Sequence, residues 1–125
     1  MRLLLDTHVL LWALVGSTRI KRIAGRLQSD DNEVYFSVAS LWEIAIKSGI
    51  SKLGYKTDEV RNAALASGFL ELPVLGAHVE ALTRLPDHHR DPFDRLLVAQ
   101  AASEPMILLT ADDKVAKYGH HIELV

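Results

Sequence analysis

The sequence predicts an α/β protein, a three-layer α/β/α sandwich with a mainly parallel central sheet. Short apolar runs of strand length alternate along the chain with longer stretches of helical periodicity. Helix start and stop residues fall where one pattern gives way to the other. Strands separated by helices require βαβ crossovers, which set neighbouring strands parallel and cover both faces of the sheet.

Taken in order, Leu3 to Leu5 is an apolar run ended by Asp6, and it forms the first strand. Thr18 caps a helix through about Leu27, with Ile20, Ile23, Ala24 and Leu27 on one face. Val34-Tyr35-Phe36-Ser37-Val38, β-branched and aromatic, is the second strand. The helix after it begins near Ala39 and runs to Ser48, with Gly49 stopping it. Its core-facing stripe is Val38, Leu41, Trp42, Ala45 and Ile46, spaced i, i+3, i+4, i+7, i+8. Thr57, with Asp58 and Glu59 behind it, opens a helix that ends at Gly68. Phe69 to Val74 is a third strand, which Pro73 confines to an edge or ends. Gly76 to Leu85 is a helix closed by Pro86. The best-marked start follows: Asp91 as N-cap, Pro92 at the first helical position, Asp94 suited to the N-terminal dipole, and Phe93, Leu96 and Leu97 beginning the apolar face. Met106 to Leu109 and Ile122 to Val125 supply the last two strands.

The 125 residues form a single domain over 1–125, with no internal repeat, linker or low-complexity segment. At this length roughly two-thirds of the extended-chain surface can be buried, so a core needs no disulfide or structural metal. With no Cys, disulfide scaffolds, thiolate zinc sites, iron–sulfur sites and thiol nucleophiles are all excluded. The opening run MRLLLDTHVLLWALVG has the outline of a secretory signal, but Asp6 and His8 interrupt its apolar stretch and no small-residue cleavage site follows. The expectation is a cytoplasmic protein with no membrane span. The formal charge of −2 means that a phosphate-bearing partner must be met by local positive charge or by bound cations.

Ligands of an open parallel sheet bind beyond the carboxyl ends of its strands. Asp6 follows the first strand there and Asp112 the fourth, while Glu43 lies one turn into the helix leaving the second strand. Asp94 lies in the first turn of the helix entering the fourth strand. Singly, each acid has a structural alternative: Asp6 and Asp112 as helix caps, Asp94 as a favourable dipole charge, Glu43 as the partner of Lys47 at i, i+4. Jointly, four acids converging on one rim point to a shared hard cation, because clustered carboxylates repel unless they take up protons or bind one. Oxygen donors without Cys favour Mg²⁺ or Mn²⁺ over Zn²⁺, and such a site suits phosphodiester cleavage.

Four segments, LLLDTHVLLW, SVASLWEIAIKSGISKL, RDPFDRLLVAQA and LLTADDKVAKY, in this order and spacing, resemble the PIN-domain ribonucleases, and within them the VapC toxins of bacterial toxin–antitoxin pairs. The resemblance covers nearly the whole chain and is most specific in DPFDRLLVAQA. It implies an α/β/α fold and Mg²⁺- or Mn²⁺-dependent endonucleolytic cleavage of RNA that leaves a 5′-phosphate and a 3′-hydroxyl. It carries the acid roles to Asp6, Glu43, Asp94 and Asp112, with Asp113 standing beside the last, and likens Thr110 to a small hydroxyl near the reacting water. It also implies a VapB-like antitoxin whose basic tail covers the acidic site, and a homodimer.

Among the other polar residues, His8 lies close enough to Asp6 in sequence to touch RNA or orient a carboxylate, but it reads better as a packed, hydrogen-bonded helix histidine. The adjacent pairs His88-His89 and His120-His121 have diverging side chains, which speaks against chelation by either pair. Lys47, Lys52, Lys56, Arg84, Arg90 and Arg95 are the cations nearest the acids in sequence, and Trp12 and Trp42 fall on helix faces expected to pack in the core or an interface. A phospho-acceptor receiver domain has a similar layout, but it needs an acidic pair after the first strand and an acceptor Asp ending a middle strand. Asp6 stands alone, and Val34 to Val38 contains no acid. A purely binding domain whose acids only cap helices is the other alternative, separable by its lack of a saturable Mn²⁺ site. Two divalent ions on the rim would shift the formal charge from −2 to +2, so RNA is expected to bind poorly without metal.

Overall fold

The computed structural model describes residues 1–50 and 54–125. Five strands form one sheet: β1 (Arg2–Leu5), β2 (Glu33–Ser37), β3 (Leu70–Leu72), β4 (Ile107–Thr110) and β5 (Ile122–Leu124). Their order is β3-β2-β1-β4-β5 and every pairing is parallel. Leu5 is the register partner of both Phe36 and Leu109, so β1 is the central strand. The described helices are α1 (Thr7–Val15), α2 (Ala24–Gln28), α3 (Val38–Ile50), α4 (Thr57–Ala66), α5 (Gly76–Leu82), α6 (Pro92–Ser103) and α7 (Asp113–Ala116).

The pleat of β1 divides the core. Leu3 and Leu5 join Val34, Phe36 and Leu109 with Val9 and Leu10 of α1, Ile44 of α3 and Val60 of α4 on one face. Leu4 and Leu108 pack on the other face with Leu96, Leu97, Val98 and Ala101 of α6 and Val115 of α7. Helices on both faces of a parallel sheet give the three layers expected from the sequence. From β1 the chain winds outward through β2 and β3, then returns to place β4 on the opposite side of β1. That reversal leaves a crevice at the carboxyl ends of β1 and β4, the switch point where doubly wound sheets bind ligands.

Several elements differ from the expectation. The segment beginning at Thr18 is a single 3₁₀ turn over Thr18–Ile20, capped by Ser17 rather than Thr18, and the α-helix starts only at Ala24. Helix α3 runs through Gly49 to Ile50, and α5 stops at Leu82, three residues before Leu85. The third strand is confined to Leu70–Leu72 and lies at the sheet edge, as Pro73 requires.

The largest difference is the rotation of α3. Trp42, Ala45 and Ile46 of the expected core stripe face outward, with Trp42 56% exposed, while Ala39, Ser40, Glu43 and Ile44 are buried. The small Ala39 and Ser40 allow a close approach, and buried polar partners hold Glu43 inward. Trp42 packs edge-on against Phe93 of α6, ring centroids 4.9 Å apart. No helix among the described residues is long and apolar enough to cross a membrane.

Candidate active site

A cleft of about 670 Å³ opens at the carboxyl ends of β1 and β4, and Asp6, Glu43, Asp94 and Asp112 all line it. Each reaches it from a different element. Asp6 follows β1 and caps α1, its Oδ1 accepting from Val9 N at 2.9 Å. Its Oδ2 accepts from Thr110 Oγ1 at 2.5 Å, and the residue is 5% exposed. Both oxygens of Asp6 are thus held, and burial raises its pKa above 3.8 against the opposing pull of Thr110 and Val9.

Thr110 ends β4 behind this carboxylate. It is buried, and its hydroxyl donates to Asp6 while accepting from Asp112 N at 3.1 Å. It touches Asp6 without itself lining the cleft. Asp112 caps α7 through Oδ1, which accepts from Lys114 N at 2.8 Å, and its Oδ2 lies 3.5 Å from His89 Nε2. Asp113 also lines the cleft but is exposed.

Glu43 is buried, not a surface residue, although its expected ion pair with Lys47 does form. Its Oε1 lies 2.5 Å from Thr7 Oγ1, which is 2.9 Å from Ser40 Oγ. A hydroxyl has one proton, so Thr7 donates it to the carboxylate and accepts from Ser40. The partnership with Glu43 raises the Lys47 pKa. Lys47 Nζ also lies 4.0 Å from Asp91 Oδ2, whose Oδ1 caps α6 by accepting from Phe93 N at 2.9 Å and Asp94 N at 3.0 Å.

Asp94, in the first turn of α6, is perturbed in the same direction as Asp6. Burial and then the charge of Asp91 push its carboxyl up to about 6, with Asp6 and Glu43 adding to the effect. His89 opposes the rise: its Nε2 lies 2.8 Å from Asp94 Oδ2. Asp112 Oδ2 approaches the same Nε2, so a proton on that nitrogen makes both contacts attractive.

His89 is the residue that sequence reasoning passed over. The side chains of His88 and His89 do diverge, since His88 packs on the ring of Tyr118, but His89 alone joins the acids. Single ligand atoms of His89, Asp94 and Asp112 lie within 4.8 Å of one another. The signal available was the eight-residue loop Leu85 to Pro92, which delivers His89 directly ahead of the Asp91 cap. Of the expected cations, Lys47 reaches the cleft and Lys52 lies outside the described residues. Arg95 turns to the carbonyls of Pro86 and Leu82 and the Tyr118 hydroxyl. Arg19 and Lys114 line the cleft instead, beside Trp12 and His8, which is exposed on the cleft and not packed as expected.

The donor set fits a hard divalent cation. Carboxylate oxygens from four elements line one cleft, and the pKa values of Asp6 and Asp94 are both raised, by burial first, with neighbouring carboxylates adding to the effect. A second cleft, about 560 Å³, lies at the opposite end of the strands beside Glu33, Val34 and Leu70, away from the switch point.

Fold and cleft together define a class: a doubly wound parallel α/β protein whose ligand site is lined by carboxylates. The model of the PIN domain family matches residues 3–120, and the chain belongs to that family. PIN domains are generally nucleases, so the enzyme class is that of a nuclease hydrolase. No curated protein matches the sequence significantly. Among solved structures, 17 chains match. One, from the crystal structure of VapBC2 from Rickettsia felis bound to a DNA fragment from their promoter, is 17% identical, with 100% of this chain and 98% of that chain covered and a TM-score of 0.71. At that identity the likeness speaks for the fold.

Proposed function

We propose that residues 1–125 act as a single PIN domain, a Mg²⁺- or Mn²⁺-dependent endoribonuclease serving as the toxin of a VapBC-type pair. The observation that carries this reading is the convergence of Asp6, Glu43, Asp94 and Asp112 on one cleft at the β1–β4 switch point. The family match supports the nuclease, and the VapBC2 neighbour supports the toxin–antitoxin setting.

In this reading Asp6, Asp94, Asp112 and Glu43 hold the cation, with His89 beside Asp94 and Asp112. When bound, the ion supplies positive charge at the phosphate and acidifies a water molecule for in-line attack. Thr110 is a positioning residue that fixes the Asp6 carboxylate, and Thr7 and Lys47 fix that of Glu43. Asp91 aligns the first turn of α6 and so aims Asp94. The excess acid gives a counter-charge for Arg or Lys from a VapB-like antitoxin, which blocks the site by occupying it. A homodimer in the cytoplasm completes the reading.

The test is induction of the chain in a bacterial host followed by sequencing of new RNA 5′ ends. Growth arrest with discrete new ends is expected, and both should disappear for Asp6→Asn and Asp94→Asn proteins that remain folded. Cleavage by either variant would refute the site assignment. An upstream reading frame encoding a short DNA-binding protein should be able to reverse the arrest when co-expressed.

A further inference from the structure

The basic side chains lining the acid cleft include two kinds. Lys47 and His89 are engaged with its carboxylates. Arg19 and Lys114 are not: among the described residues, neither side chain makes a hydrogen bond or ion pair, although the cleft carries six acids. Both are exposed, but Arg19 is also held in place. Ser17 Oγ accepts from Arg19 N at 3.1 Å, fixing the 3₁₀ turn that carries it. Its guanidinium carbon lies 5.1 Å over the ring of Trp12, a half-buried residue packed on the core. A cation among carboxylates that is kept on an aromatic face retains its donors for another anion.

We infer that Arg19 is a substrate-binding residue that takes a phosphate of the RNA strand beside the one being cleaved. A planar guanidinium can grip two phosphate oxygens at once, and stacking on Trp12 reduces the side-chain freedom lost on binding. The contact also counters the repulsion between the strand and the acids, so its effect falls on binding and not on the chemical step. This inference rests on the nuclease reading above.

The experiment measures Mn²⁺-supported cleavage of a randomised single-stranded RNA pool by the full chain. Arg19→Gln should raise the apparent KM roughly fivefold at unchanged kcat, and should flatten the slope of log KM against log salt by about 0.7, one phosphate contact on a single strand. Arg19→Lys should restore the slope but only part of the KM, because an ammonium keeps the charge and loses the fork. Arg22→Gln makes the same charge change three residues on, outside the cleft, and should behave as wild type. Equal effects of Arg19→Gln and Arg22→Gln, or a loss confined to kcat, would overturn the inference while leaving the nuclease reading intact. A wild type that cleaves no RNA would overturn both.

Discussion

Thr110 donates its hydroxyl proton to Asp6 across the β4–β1 pairing, 2.5 Å away and 104 residues distant in sequence. The same oxygen accepts from Asp112 N, so one buried hydroxyl sets the relative position of two of the four acids. Thr110→Val removes both bonds while keeping the shape of the side chain. The expected cost is about 1–3 kcal/mol of stability in urea unfolding, because the buried Asp6 oxygen is left without a donor. Metal affinity should fall by roughly ten- to hundredfold, as for other residues that orient ligands. Thr110→Ser should recover most of both; if Thr110→Val matches wild type in Mn²⁺ affinity, Thr110 has no positioning role.

Metal binding should depend unequally on the two adjacent acids. Asp112 faces His89 and Asp94, whereas Asp113 is exposed on the rim. In calorimetric titration with Mn²⁺, wild type should give a saturable event that Asp112→Asn and Asp94→Asn each weaken by roughly tenfold or more. Asp113→Asn should leave it within about twofold. The reverse ranking would move the ligand to Asp113.

Without metal, the site should cost stability at neutral pH. The Asp94 carboxyl, ordinarily near 3.8 and pushed up to about 6, binds its proton more tightly in the folded chain than in the unfolded one. Its contribution to stability is therefore full below about pH 4 and is lost as pH rises through about 6. Asp6, also raised, acts in the same direction. His121 acts oppositely, since burial lowers its pKa and costs stability as pH falls. Asp94→Asn isolates the first effect. In EDTA the variant should be more stable than wild type at pH 7.5 by on the order of 1–3 kcal/mol, a gap that closes toward pH 4.5. Saturating Mn²⁺ should reduce or reverse that gap, because only wild type keeps the carboxylate. Equal stability of the two proteins at pH 7.5 in EDTA would contradict the raised pKa.

The fold was legible where one signal dominated. Leu3 to Leu5 and Val34 to Ser37 are strands with both faces covered and no competing pattern, and Asp91-Pro92 fixes the start of α6 unambiguously. The four acids were legible because strand ends and helix starts are marked locally, and topology brings those ends together. What was not legible depended on contacts distant in sequence. The apolar spacing of α3 correctly gave a helix but pointed Trp42 and Ile46 inward, because nothing near Glu43 reveals that Thr7 and Ser40 wait to satisfy it. His89 was hidden for a similar reason. Its adjacency to His88 argued against paired chelation, while its partners Asp94 and Asp112 come from α6 and the start of α7.

The most direct test of the account is cleavage of total cellular RNA by the purified chain, followed on a denaturing gel with Mn²⁺ or with EDTA, beside folded Asp94→Asn. The account predicts discrete fragments carrying 5′-phosphates with Mn²⁺, and none in EDTA or with Asp94→Asn. Equal cleavage in EDTA, or full activity of Asp94→Asn, would contradict it.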